Sequence, residues 1–90
     1  MLDDNFRVIR EILTILERSM DDSVLSSDTL SAKAFGVSET RFTAILVMMI
    51  EAGLIEGSKP NKNGQTRPFI LHPEKLYITL KGLEYLRDNS

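Results

Sequence analysis

The run VSETRFTAILVMMIEAGL, residues 37–54, constrains the fold more than any other part of this 90-residue chain. Ser38 stands just before Glu39 at its start, where a hydroxyl accepts from an orphan amide of a first helical turn. Phe42, Ile45, Leu46 and Met49 then recur at the 3.6-residue period and predict one buried helical face. Gly53 follows Ala52 at the point where a glycine takes the left-handed conformation that ends a helix, and Leu54-Ile55 open an extended segment. The predicted order is helix, glycine, strand, and then a polar loop holding the turn signal Asn63-Gly64.

Ninety residues support one small core, so the whole chain, 1–90, is read as a single domain. A hydrophobic share of 42% is that of an ordinary globular protein. With no cysteine, the chain has no disulfide, thiol nucleophile or thiolate metal site, which fits a reducing compartment. The opening MLDDNF is acidic where a secretory signal carries positive charge before an apolar run, and a cytoplasmic location is expected. The longest unbroken apolar run, residues 44–50, is far shorter than the ~20 residues of a membrane-spanning helix. The net charge of -2 divides unevenly. Residues 1–53 hold five Lys or Arg against nine Asp or Glu, a net of -4, and residues 54–90 hold six against four, a net of +2. That asymmetry points weakly to an anionic partner near the second half, against the plain alternative of a polar loop.

Along the chain, Asp3, Asp4 and Asn5 are offered as caps of a first helix whose buried stripe is Phe6, Ile9, Leu13 and Leu16, with Val8 and Ile12 beside them. Residues 20–27 read as a loop with room for one short strand around Val24-Leu25. Ser27 or Asp28 caps a second helix that carries Leu30, Ala34 and Phe35 inward and ends at Gly36. Gly36-Val37-Ser38 is then the turn of a helix-turn-helix, a small residue permitting a steep crossing and an apolar one filling the corner. After the third helix, residues 54–57 form a strand, residues 61–64 a turn, and residues 67–71 (RPFIL) a return strand that Pro68 confines to an edge or a late start. Residues 76–78 resume an extended stretch. Thr79 caps a last helix with Leu80, Leu83 and Leu86 as its apolar stripe.

The order helix, short strand, helix, helix, hairpin, helix resembles a winged-helix domain, an α+β fold. The closing residues Ile78, Thr79, Lys81, Gly82, Tyr85 and Leu86 resemble the I-T-x-K-G-x-x-Y-L ending that follows the wing in several such families, and Glu51-Ala52-Gly53-Leu54-Ile55 is similar too. Over nearly its whole length the chain most resembles the small YjcQ-like, phage-related winged-helix proteins. The resemblance implies a winged helix and a DNA-binding, regulatory role, although fold does not by itself fix function.

In that frame the third helix is the recognition helix, and its N-terminal, outward residues meet base edges in the major groove. The candidates are Ser38, Thr40, Arg41, Thr43 and Ala44: Thr and Ala for thymine methyls, Arg41 for guanine or phosphate. Glu51 on the same face would repel the backbone, so this helix is poor in donors. The wing makes the stronger electrostatic case, with Lys59, Lys62 and Arg67 for phosphates and Asn63 and Gln65 for sugars or the minor groove. Val47, Met48 and Ile50 lie away from the core face of the third helix. Either the neighbouring helices wrap them, or they form a homodimer or partner surface in which Met supplies adaptable contact.

No enzyme chemistry is expected. His72 is the only histidine and has no candidate metal partner near it in sequence. The serines sit in caps, loops and chain ends without a nucleophile elbow, and the isolated glycines form no phosphate loop. No cofactor is called for. The leading expectation is a small winged-helix protein on double-stranded DNA, as a dimer; the alternative is a protein-interaction module of the same fold.

Overall fold

The first helix shows how little pattern is needed to seed this core. In the computed structural model, which describes residues 2–21, 29–58 and 75–89, α1 spans Leu2–Arg18 and buries Val8, Ile12, Leu13 and Leu16 completely. Those four positions make one apolar stripe at helical spacing. Phe6, expected in the stripe, is instead 50% exposed. It lies roughly 100° round the helix from the centre of that stripe, near the end that extends past the core. Asp4 and Asn5 are not caps either, because the chain is already helical at Leu2 and both sit inside its first turn.

The second helix is a single turn, α2, Ala32–Phe35, and its cap is Ser31 rather than Ser27 or Asp28. Ser31 is extended at φ -148 and its hydroxyl accepts from Ala34 N at 3.2 Å. Starting later turns the helix: Leu30, Ala32 and Phe35 are buried, whereas Ala34 faces solvent. Gly36 ends α2 as expected, at φ 71. Its N–H donates to Lys33 O at 3.2 Å and the N–H of Val37 to Ala32 O at 3.1 Å. That pair of bonds is a Schellman motif, which satisfies two carbonyls of the helix end.

Ser38 then caps α3, Glu39–Glu51, accepting from Arg41 N at 3.1 Å. Phe42, Ile45, Leu46 and Met49 are all buried, as their spacing predicts. Phe35 and Phe42 stack with ring centroids 5.8 Å apart, which fixes α2 against α3 across the Gly36 turn. A second Schellman motif closes α3, with Gly53 N donating to Ile50 O at 3.0 Å and Leu54 N to Met49 O at 2.9 Å. Met49 and Leu54, the two side chains this motif brings together, are both in the core.

Beyond it, β1 (Ile55–Glu56) pairs antiparallel with β2 (Tyr77–Ile78), Ile55 opposite Ile78 and Glu56 opposite Tyr77. The expected short strand near Val24 and the return strand at 67–71 lie outside the described residues. Among the described residues the partner of β1 is the stretch 77–78, which was expected to be extended but not to close the sheet. Ile55 and Ile78 point into the core, β1 lying against α3 and β2 against α1, and Glu56 and Tyr77 point out.

The last helix, α4, spans Leu80–Asn89 and packs on α1. Thr79 caps it, as expected: its hydroxyl accepts from Gly82 N at 3.0 Å. The same hydroxyl donates to Gly53 O at 2.5 Å, and Thr79 N donates to Leu54 O at 3.1 Å. Leu80 is 73% exposed and does not belong to the apolar stripe. The contact point is Gly82, which is buried against the Leu54 carbonyl and Ile78. Leu80 lies roughly 200° round the helix from it, whereas Leu83, Tyr85 and Leu86 lie nearer and pack on the core. The architecture is α+β, mostly helical with a small two-stranded antiparallel sheet.

Candidate nucleic-acid interface

The N-terminal edge of α3 gathers most of the polar residues expected of a reading helix. Thr40, Arg41 and Ala44 are exposed there with Ser38, and Thr43 is half-buried. Ser38, Thr40, Arg41 and Ala44, but not Thr43, border with Asn5 and Met48 a shallow depression of about 320 Å³. The Arg41 guanidinium does not hang free: its Nη1 donates to Asn5 Oδ1 at 2.7 Å, a bond from α1 to α3. Because Asn5 is neutral, the charge of Arg41 is held in place rather than cancelled. Asn5 thus holds a candidate residue in place, where a capping rule misassigns it. Its signal is an amide on the first turn of a helix that needs no cap from it.

Charge on α3 is mixed. Glu39 at its start and Glu51 at its end are both exposed alongside Arg41. Glu39 favours the positive end of the helix dipole and steadies the helix, and both glutamates put negative charge on the helix that carries Arg41. The apolar candidates divide. Met48 is 50% exposed, Val47 is half-buried, and Ile50 packs against the core.

Lys59, Lys62, Asn63, Gln65 and Arg67 lie outside the described residues, and so does His72. What the structure fixes is where that segment leaves and returns, since β1 and β2 hold its two ends side by side. Lys75 and Lys81 near those ends are exposed. At the far end of α4, Arg87 Nε donates to Asp88 Oδ1 at 3.0 Å. That bond, with the carboxylate charge, raises the guanidinium pKa, so Arg87 stays protonated.

Among the described residues no group of His, Asp or Glu is placed to hold a metal ion. No helix among them is long and apolar enough to cross a membrane. With the geometry in hand, comparison with protein families gives a definite answer: the model of the YjcQ protein family matches residues 10–90. The chain belongs to the YjcQ family. No curated protein and no solved structure matched it. The YjcQ match takes in α2, α3, the sheet and α4, and so includes the Thr79–Gly82 junction that gives the ending of this family member its shape.

Proposed function

We propose that this YjcQ family member is a winged-helix protein without enzymatic activity that binds double-stranded DNA in the cytoplasm, as a transcriptional regulator of phage or bacterial type. In this reading α2, the Gly36 turn and α3 are the helix-turn-helix, and the segment between β1 and β2 is the wing. The observation that carries it is the exposed, Ser38-capped N-terminal edge of α3, with Arg41 braced by Asn5 and with Thr40 and Ala44 beside it. A recognition helix meets base edges with its N-terminal residues, and an arginine reads guanine through two parallel hydrogen bonds. The wing supplies the phosphate contacts that α3, with Glu39 and Glu51, lacks.

Fluorescence anisotropy with mixed-sequence duplex DNA, from about 50 to about 200 mM salt, tests this directly. The affinity of the wild-type chain should fall linearly on a log–log salt plot. The pair Lys62→Glu and Arg67→Glu should weaken binding at least about tenfold and flatten the salt slope by roughly two phosphates' worth. Arg41→Ala should cost about tenfold on the preferred sequence and less on random DNA. Absence of binding at the lowest salt removes the DNA reading.

A second reading, a protein-interaction or dimerisation module on the same fold, is favoured by the 50% exposure of Met48 on α3. Sedimentation tests the dimer. If Val47, Met48 and Ile50 form a homodimer surface, Met48→Asp should shift the wild-type dimer to monomer with unchanged helix content. Two monomers would remove the dimer.

A further inference from the structure

A second depression, sharing no lining residue with the edge of α3, opens between α1, α2 and α4 with a volume of about 560 Å³. Its wall holds Arg7, Arg10 and Arg18 against the single Glu11, a surplus of two positive charges among the described residues. This is notable in a chain of net charge -2: three of the five Lys and Arg in residues 1–53 meet in one place.

The local bonding divides these cations into two kinds. Arg7 is committed, its Nη1 at 2.8 Å from Glu11 Oε2 and its Nη2 at 3.2 Å from Phe35 O, where it braces the end of α2. Glu11 is thereby neutralised. Arg10 and Arg18 receive no side-chain hydrogen bond or ion pair from the described residues. They stand two turns apart on α1, about 12 Å along the axis. Thr14 stands between them on α1, and beside it Ile15 of α1 and Leu86 of α4 pack only partly into the core and leave apolar surface in the depression.

An apolar surface flanked by uncommitted guanidinium groups, in a volume within the range of small-molecule sites, selects for a ligand with both features. We infer that this depression binds a small organic anion with a flat apolar body, of the aromatic carboxylate class. The carboxylate pairs with Arg10 or Arg18 and the ring covers Ile15 and Leu86. Arg7 is the structural cation that holds α1 and α2 apart at the correct spacing. The inference is independent of DNA binding and stands or fails without it.

The test is a 1H–15N NMR titration of the whole chain with 2-naphthoate, beside inorganic phosphate and the neutral 2-naphthalenemethanol. With 2-naphthoate, saturable shifts should concentrate on the amides of Thr14, Ile15, Arg18 and Leu86. Phosphate, which lacks the ring, and the alcohol, which lacks the charge, should each bind at least about tenfold more weakly. Arg10→Gln with Arg18→Gln should weaken 2-naphthoate by about tenfold or more. Arg18→Gln alone, at the exposed last turn of α1, should give a smaller loss on an otherwise unchanged spectrum. Scattered shifts that do not saturate, equal binding by the variants, or phosphate binding as tightly as 2-naphthoate would each overturn the assignment.

Discussion

Gly82→Ala should destabilise the protein by about 2 kcal/mol, even though alanine is the better helix former. In an exposed helix this exchange gains about 1 kcal/mol. Here the added methyl meets the Leu54 carbonyl oxygen and comes within 2.7 Å of Ile78 Cγ1. A flexible side chain would move aside. The Leu54 carbonyl is backbone, and it already accepts from Thr79 N at 3.1 Å, so making room means lifting α4 away from β1. Overpacking costs about 1–3 kcal/mol or occasionally more, and a methyl caught between backbone and Ile78 stands at the upper end, about 3 kcal/mol, which leaves about 2 kcal/mol after the propensity gain. Urea denaturation followed by circular dichroism should show a lower midpoint with an unchanged slope, and the melting temperature should fall by roughly 8–16 °C. Gly36→Ala is the informative comparison, because nothing lies within 4 Å of its added methyl and only the φ of 71 opposes it. It should cost about 1 kcal/mol. If Gly82→Ala is as stable as the wild type, α4 does not sit on Leu54 as described.

The second large effect is expected at Thr79→Val, which keeps the shape of the side chain and removes its hydroxyl. That hydroxyl accepts from Gly82 N at 3.0 Å and donates to Gly53 O at 2.5 Å, so one atom caps α4 and ties it to the end of α3. Loss of a helix cap costs about 1 kcal/mol, and a partly buried carbonyl left short of a donor about 1 kcal/mol more. The expected total is about 2 kcal/mol, read as the same fall in urea midpoint. Thr79→Ser retains the oxygen and should lose only a few tenths of a kcal/mol. Wild-type stability in Thr79→Val would remove the two hydrogen bonds as the cause, and a full loss in Thr79→Ser would add a packing role for the methyl group that valine retains. Because Thr79 and Gly82 serve one junction, the double variant Thr79→Val with Gly82→Ala should lose less than the sum of the two.

These two residues also show what a sequence pattern reveals. The I-T-x-K-G signature was recognisable as a string, but its reason is three-dimensional: a cap, a crossing hydrogen bond and a close backbone approach all fall on the same turn. Hydrophobic spacing located the buried face of α3 residue by residue, since that helix is long and capped at Ser38. It failed at Phe6 and Leu80, apolar residues that fit a period but lie on the side of their helix turned away from the core. It failed again at Ala34, because the period of a four-residue helix has no direction until its cap is known. The glycines after α2 and α3 were legible because a Schellman motif is a local event. The pairing of Ile55 with Ile78 was not, because nothing in either two-residue strand names its partner.

The candidate site divides in the same way. Arg41 and its neighbours could be picked out by position on a helix face. Asn5 could not, since its bond to Arg41 joins residues 36 positions apart. Nor could the depression beside Arg10 and Arg18 be seen without α4, because Leu86 completes its wall.

The Ile55–Ile78 pairing has a consequence for how such a protein changes over time. It sets two core side chains, Ile55 and Ile78, opposite one another on either side of residues 59–74 in the sequence. The entropy of closing a chain segment grows only as the logarithm of its length, so doubling it adds about 0.6 kcal/mol. A change in the number of residues between Ile55 and Ile78 therefore costs little in chain closure, and the pairing of β1 with β2 can outlast it.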